Sequence, residues 1–112
     1  MKSAKPTVVD IDMAQLRGAA ARAVAALKLL ANEDRLLLLC QLSQGEACVG
    51  DLEASLGIRQ PTLSQQLAVL RKEGVVETRR EGKSIHYRVA DPALLEILAT
   101  LYRLYCPEGD AR

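Results

Sequence analysis

The sequence lacks a long apolar run. No stretch of its 112 residues approaches the roughly eighteen consecutive apolar residues that a transmembrane helix needs. Asp10 and Asp12 follow soon after Lys2 and Lys5, and they interrupt the apolar stretch that a signal peptide requires. These absences favour a soluble, cytoplasmic protein with no membrane partner.

Cysteine is also scarce, and the three cysteines show no paired short spacing. An odd number of such thiols does not make a disulfide framework, so in a reducing compartment they are free thiols or sensors. The sequence has no phosphate-cradling glycine loop, no nucleophile-elbow serine, no Cys-x-x-Cys pair and no carboxylate cluster around its one histidine. We therefore expect neither an enzyme nor a bound cofactor, and a turnover assay for thiol or polysulfide reduction would test this.

The chain has the length of one domain, and its 49% hydrophobic content supports a single small core. So small a core leaves stability marginal, which favours an oligomer. We predict a flexible arm over residues 1–10, one domain over residues 11–107 and a short tail over residues 108–112.

Net charge is close to zero, but it is unevenly distributed along the chain. Fifteen basic and fourteen acidic residues give a formal charge of +1. Residues 59–88 hold seven basic residues against three acidic ones, a net +4, whereas the remainder holds eight against eleven, a net −3. A basic face on an acidic body is typical of proteins that bind nucleic-acid phosphates, although a solvated surface is the alternative.

Residues 49–74 have the pattern of two short amphipathic helices joined by a tight turn. Gly57 stands at the end of the first helix, where positive φ is tolerated, and Pro61 fits the first turn of the second. The apolar positions with helical spacing are Val49, Leu52 and Leu56, then Leu63, Leu67 and Leu70. The outward positions of the second helix are then Thr62, Ser64, Gln65, Ala68, Val69 and Lys72. Short hydroxyl and amide side chains can approach base edges in the major groove, which predicts a DNA-reading helix.

The remaining sequence predicts three more helices and a β-hairpin. Asp12, Asn32 and Asp91 are capping residues, and the helices that follow them run to about residues 30, 43 and 105. Two β-branched stretches, Val75–Arg79 and Ile85–Val89, flank a basic tip. The predicted fold is thus mainly α with a small β-hairpin, in the order α-α-α-α-β-β-α. This is a winged helix-turn-helix, in which the hairpin, or wing, grips phosphates beside the major groove.

The first and last predicted helices carry apolar stripes that the helix-turn-helix does not use. These stripes would be exposed in a monomer, so we assign them to a two-fold homodimer interface. The alternative is that they pack only within their own subunit. The predicted interface residues are Leu16, Ala20, Leu27, Leu98, Leu101, Tyr102 and Tyr105.

Over nearly its whole length the chain resembles the ArsR/SmtB family of small winged-helix repressors. The resemblance rests on the sequence LANEDRLLLLCQLSQGEACVGDLEASLGIRQPTLSQQLAVLRKEGVVETRREGKSIHYRV. Its most specific part is QPTLSQQLAVLRKEGVV followed by RREGKSIHYRV. The resemblance implies a homodimer that represses transcription by occupying an inverted repeat in double-stranded operator DNA and leaves it when an inducer binds.

The family pattern can be placed on residues of this chain. The positions that match its base-reading segment are Thr62, Ser64, Gln65 and Gln66, and those that match its wing are Arg79, Arg80 and Lys83. We add Arg59 and Lys72 of the basic segment as phosphate contacts. A winged helix that binds protein is the alternative, but it would favour an acidic or apolar outer face.

The metal-binding residues of the family are missing. Where the family's arsenic site has Cys-Val-Cys, this chain has Cys48-Val49-Gly50, and one thiol cannot supply several sulfur ligands. The last helix has none of the histidines of the family's zinc site, and the only histidine, His86, lies on a predicted wing strand. We therefore predict no metal site.

Cys40 and Cys106, in the contexts LLLLCQL and LYRLYCP, resemble the sensing pair of the BigR/SqrR-like branch. In that branch the two thiols react with persulfides or other reactive sulfur species, become linked by a disulfide or polysulfide bridge, and the dimer loses its operator. A tether between two helices would shift the spacing of the reading helices.

The residues alone leave other interpretations open. Cys40 lies among leucines, where a thiol is usually a small hydrophobe. Cys48 lies near a helix N-terminus that stabilises a thiolate, so it is a possible accessory thiol. Cys40, Cys48 and Cys106 could instead hold a thiophilic metal or metalloid if they converged, or they could serve a general oxidant sensor.

Overall fold

The computed structural model describes residues 11–106, which fold into five helices and three short strands. The predicted arm, residues 1–10, and the predicted tail, residues 108–112, lie outside this range. The elements in chain order are α1 (Met13–Leu30), α2 (Glu33–Ser43), β1 (Ala47–Cys48), α3 (Val49–Leu56), α4 (Thr62–Lys72), β2 (Val76–Glu81), β3 (Ser84–Val89) and α5 (Pro92–Tyr105). The predicted winged-helix order is confirmed, with one additional strand.

The three predicted capping residues begin their helices. The Oδ1 atoms of Asp12, Asn32 and Asp91 accept backbone N–H bonds at 2.9, 3.0 and 3.0 Å, from Ala14, Arg35 and Ala93 respectively. Each bond satisfies a donor that has no partner inside its helix, and a cap of this kind stabilises a helix by about 1 kcal/mol. The starts of α1, α2 and α5 therefore follow from local sequence.

The turn between α3 and α4 depends on one glycine. Gly57 adopts φ 71° at the end of α3, and its N–H donates to the carbonyl of Glu53 at 3.0 Å. Other residues rarely adopt this left-handed conformation, which is why the chain can leave α3 here and begin α4 five residues later. Pro61 lies at the N-cap of α4, one position earlier than a helical first turn.

The core is built mainly from leucine and centres on α2, which contacts every other helix and β3. Leu38 and Leu39 of α2 are completely buried, and Leu42 is nearly so. Burying one such side chain contributes about 1.5 to 3 kcal/mol. From the helix-turn-helix the core receives Leu52, Leu63, Leu67 and Leu70, so the predicted inward face of α4 is confirmed.

The wing belongs to a three-stranded antiparallel sheet, not to an isolated hairpin. The strand order is β1-β3-β2, and β1 pairs Ala47 with Tyr87 and Cys48 with His86. The hairpin strands extend to Glu81 and Ser84, so the loop is two residues shorter at its start and one shorter at its end than predicted. The two-residue turn is possible because Gly82 adopts φ 63°.

The outer helices expose part of the predicted apolar stripes. Leu16 and Leu27 of α1, and Tyr102 and Tyr105 of α5, are exposed, with Tyr105 at 79%. Leu98 is an exception, because only 1% of its surface is accessible and it belongs to the core of its own subunit. The prediction that the apolar stripe of the last helix would be exposed in a monomer is therefore wrong at Leu98, although Tyr102 and Tyr105 are exposed. Periodicity placed Leu98 and Tyr102 on one face, but the body of the subunit covers the beginning of α5.

Among residues 11–106, no helix is both long enough and apolar enough to span a bilayer.

Candidate nucleic-acid interface and thiol pair

The outer face of α4 carries the side chains predicted to read bases. Ser64 and Gln65 are exposed, whereas Thr62 and Gln66 are half-buried. The structure thus brings the four predicted residues together over the first turns of one helix, although it does not give them equal access to a groove.

Gln60 is a residue that the sequence analysis missed. Its Oε1 accepts hydrogen bonds from the backbone N–H of Ser64, at 3.2 Å, and from the Ser64 hydroxyl. The amide therefore caps the first turn of α4 and accepts the Ser64 hydroxyl hydrogen, so the hydroxyl can serve another partner only as an acceptor while this bond holds. In the sequence, the signal for this cap was a glutamine directly before Pro61 and four residues before Ser64.

The side chain of Gln66 is hydrogen-bonded to a different helix. Its Oε1 accepts a hydrogen bond from Nη1 of Arg35, a residue of α2, at 3.3 Å. The predicted base-reading role of Gln66 stays a prediction. Its carboxamide is held by this hydrogen bond, whereas the side chain of Gln65 makes no hydrogen bond within the described residues.

The wing residues predicted to contact phosphates fall into two groups. Arg80 and Lys83 are exposed near the tip. Arg79, in contrast, is already engaged: its guanidinium donates to Glu46 at 2.8 and 3.0 Å and to Glu81 at 3.2 Å. This hydrogen-bonded pairing holds the pKa of the Glu46 carboxyl below its ordinary value. Arg79 thus ties the wing to the loop before β1, a contact that the sequence did not predict.

The two other predicted phosphate contacts flank the helix-turn-helix. Arg59 precedes α4 and Lys72 ends it, and both are exposed. Arg88 of β3 belongs to the same basic segment, but it forms an ion pair with Glu77 across the hairpin. Part of the basic charge counted in residues 59–88 is therefore paired with carboxylates of the same subunit, and only the rest is available to phosphates.

Cys40 lies in a cleft between α2 and α5. The cleft has a volume of about 590 Å³ and is lined by residues that include Cys40, Leu37, Leu95 and Tyr102. Burial raises the pKa of the half-buried Cys40 thiol, and negative charge at Cys106 raises it further. The exposed Cys106 ends α5, which forms the other side of this cleft, so both thiols that the sequence analysis singled out lie on the pair of helices that form it.

Cys48 is in a different environment. It is the N-cap of α3, and both its backbone N–H and its thiol donate to Asp51 Oδ2, at 3.4 and 3.3 Å. It lines a separate cleft beside the wing, with Lys83 and Tyr87. Within residues 11–106 of one chain, no three His, Cys, Asp or Glu side chains converge as a metal site requires, so the three-thiol alternative has no support there.

The pKa of Cys40 leads to a measurable prediction. Because its pKa is raised, a small fraction of Cys40 is thiolate at neutral pH, and alkylation by iodoacetamide should accelerate as the pH rises. Replacing Cys106 with serine removes the repelling charge, so the Cys40 rate profile should move to lower pH in the Cys48→Ser background. Alkylation reactions quenched at a series of times and pH values, followed by peptide mass spectrometry, give this profile. An unmoved profile would show that the two thiols do not interact.

Comparison with known proteins agrees with this architecture. Residues 32–78 match the model of the family described as bacterial regulatory protein, arsR family. The biofilm growth-associated repressor of Agrobacterium fabrum is 56% identical over 80 residues, which cover 71% of this chain and 68% of the relative. The transcriptional activator HlyU of Vibrio cholerae is 38% identical over 96 residues, which cover 86% of this chain and 89% of HlyU.

A solved structure extends the agreement to the fold. The crystal structure of the transcriptional repressor BigR from Xylella fastidiosa superposes with a TM-score of 0.80 at 42% sequence identity. The match covers 88% of this chain and all of the BigR chain. Each of these three relatives is named as a repressor or an activator. The chain therefore belongs to the arsR family of bacterial regulatory proteins, as a BigR-like transcriptional regulator with a winged-helix fold.

Proposed function

We propose that the protein is a homodimeric repressor that binds an inverted repeat in operator DNA and leaves it when Cys40 and Cys106 become bridged by reactive sulfur species. The observation that carries the sensing part is the position of these two thiols on the two helices that line one cleft: Cys40 lines it from α2, and the exposed Cys106 ends α5. The repressor part is supported by the outer face of α4, the basic wing and the named function of the relatives in Agrobacterium and Xylella.

The chemistry begins at the more accessible thiol. Cys106 is exposed and Cys40 is half-buried with a raised pKa, so the Cys106 thiolate attacks the outer sulfur of an organic persulfide. A thiolate leaves, and Cys106 becomes a persulfide. The Cys40 thiolate then attacks the Cys106 sulfur and expels hydrosulfide, which leaves a disulfide. If Cys106 carries a longer chain, Cys106–S–S–SH, the Cys40 thiolate attacks the sulfur next to the terminal one and expels hydrosulfide, which leaves a trisulfide bridge instead. The persulfide is the oxidant in both steps.

The bridge would act on the fold through α5. Cys106 ends the helix whose exposed residues, Tyr102 and Tyr105, belong to the proposed dimer interface, whereas Cys40 belongs to the central core helix. A covalent tether between them restricts α5 relative to α2. Since α2 also contacts α4, the orientation of the reading helices in the dimer changes with it. Operator half-sites require reading helices about 34 Å apart, so a small rotation lowers affinity.

The bridge itself can be tested directly. After the reduced protein is treated with glutathione persulfide, intact mass spectrometry should show the loss of two thiol hydrogens, with added sulfur mass for a polysulfide. Peptide mapping should join the Cys40 and Cys106 peptides within one chain. A Cys48 crosslink in their place would refute the assignment, and binding of a metalloid by the reduced protein with three-thiol stoichiometry would favour the metal alternative.

The wing makes a separate prediction. Lys83 is exposed at the hairpin turn, so Lys83→Ala should weaken binding to operator and unrelated DNA alike. The slope of log affinity against log salt should fall by about 1 for each wing, because one phosphate contact is lost per subunit. Fluorescence anisotropy over a salt series measures both quantities. Glu81→Gln at the same hairpin controls for general charge effects, and an unchanged slope in Lys83→Ala would remove the wing from the interface.

A further inference from the structure

Arg35 joins three parts of the subunit that are distant in sequence. Its Nε donates to the carbonyl of Leu29 at 2.8 Å, and its Nη2 donates to the carbonyl of Lys28 at 3.3 Å. Both carbonyls belong to the last turn of α1, and that of Lys28 also accepts the C-cap N–H of Ala31 at 3.3 Å. The remaining nitrogen, Nη1, donates to Gln66 Oε1 on α4 at 3.3 Å. One planar guanidinium is therefore anchored at the end of α1 and reaches the predicted reading helix.

This contact fixes the chemical polarity of Gln66. A guanidinium carries donors only, so the carboxamide atom that faces Arg35 must be the oxygen. The oxygen is therefore turned toward α2, and the two N–H donors of Gln66 are the groups not turned toward Arg35. A glutamine that recognises adenine uses its oxygen and its nitrogen together, because adenine presents one donor and one acceptor in the major groove. Although the oxygen has a second lone pair, Gln66 cannot direct its oxygen and its nitrogen to one adenine edge while the oxygen faces Arg35.

We propose that Arg35 is a positioning residue for DNA recognition, which holds Gln66 as a donor-only reader of acceptor-bearing base edges. Guanine, with O6 and N7, and thymine, with O4, present such edges, whereas cytosine presents a donor. The neighbouring Gln65 is the contrast: it is exposed, and its oxygen and nitrogen are both available, as adenine requires. This inference rests on the proposed function, since it assumes that α4 lies in the major groove.

The same contact relates α1 to recognition. Arg35 lies in a cleft with Lys28 and Leu29 of α1 and with Val69 of α4, so the guanidinium and its anchors on α1 share one small space beside α4. Displacement of the last turn of α1 would draw the guanidinium away from Gln66. Loss of that hydrogen bond frees the carboxamide to rotate, which changes the bases it accepts and not only the strength of binding.

The test selects bound duplexes from DNA with randomised half-sites, using the reduced full-length protein. The native protein should enrich guanine or thymine at one position of each half-site, with a preference of about 5- to 150-fold. Gln66→Glu keeps an oxygen for Arg35 but presents no donors outward, so enrichment at that same position should invert to cytosine or adenine. Arg35→Lys cannot reproduce the planar fork, and the position should relax to admit adenine.

Gln65→Glu is the matched control, because it adds the same charge one residue away. It should change a different position of the half-site, and circular dichroism would verify that each variant is folded. If the native protein selects an inverted repeat but Gln66→Glu alters no position, the inference fails and the proposed function stands. Enrichment of adenine at the Gln66-dependent position of the native protein also overturns it. If the native protein enriches no sequence, the proposed function itself fails.

Discussion

Cys106→Ser is expected to bind operator DNA like the native protein but to stay bound after treatment with glutathione persulfide. In the native protein the same treatment should lower operator affinity about 5- to 150-fold, the range of coupling energies between two sites in one protein. The serine variant lacks the exposed thiol that starts the proposed reaction. Cys40→Ser should lose the response too, because a Cys106 persulfide alone forms no tether. Anisotropy titrations with a labelled operator, before and after treatment, measure both.

Cys48→Ser provides the control for this experiment. In the native protein the Cys48 thiol donates to Asp51 and lies beside the wing, away from the cleft that contains Cys40. We expect the variant to retain the full response. Loss of response in Cys48→Ser alone, with Cys40→Ser and Cys106→Ser still responsive, would contradict the assignment of the sensing pair.

Gln65→Ala is expected to weaken operator binding by about 1 to 3 kcal/mol, the range for one bidentate contact between an amide and a base. Gln65 is exposed on the outer face of α4, and its side chain makes no hydrogen bond to the described residues of its own subunit. Because the contact depends on sequence, affinity for unrelated DNA should change little. Parallel titrations with operator and scrambled duplexes at one salt concentration separate the two effects.

Gln44→Ala makes the same chemical change at the end of α2, where the side chain lines the thiol cleft and not the face of α4. It should leave operator affinity within experimental error of the native value. Equal losses for Gln65→Ala and Gln44→Ala would indicate a general effect on the fold, and no loss for Gln65→Ala would exclude it from base recognition.

Most of the fold could be predicted from the sequence, because the residues that determine each of these elements lie within it or next to it. Asp12, Asn32 and Asp91 cap their own helices, and Gly57 turns the chain by its own φ. Leu63, Leu67 and Leu70 alternate with polar positions at helical spacing, so the buried face of α4 could be predicted without knowing what covers it.

The errors concern structure that arises from partners far along the chain. β1 contains only Ala47 and Cys48, too few residues for an alternating pattern, and it is a strand because β3 pairs with it. Leu98 has the spacing of an interface residue, but the core of its own subunit buries it.

The candidate site shows the same limit. Residue types identified the outer face of α4, the wing and the two thiols, because hydroxyls, amides, basic groups and thiols have the same binding preferences or reactivity in any fold. They could not show that Arg35 reaches Gln66 across 31 positions, or that Glu46 occupies Arg79 across 33. Both contacts change what a predicted residue can offer to DNA, and both depend on the packing of separate elements.

The short strand β1 has a mechanical consequence. It joins the beginning of α3 directly to the middle of the wing, and the ion pair between Glu46 and Arg79 closes the same junction. The wing is therefore attached to the helix-turn-helix at two places, which limits its movement relative to α4. In the proposed dimer, we expect a signal at the thiols to change the angle between the two subunits more than the offset between groove and phosphate contacts within one subunit.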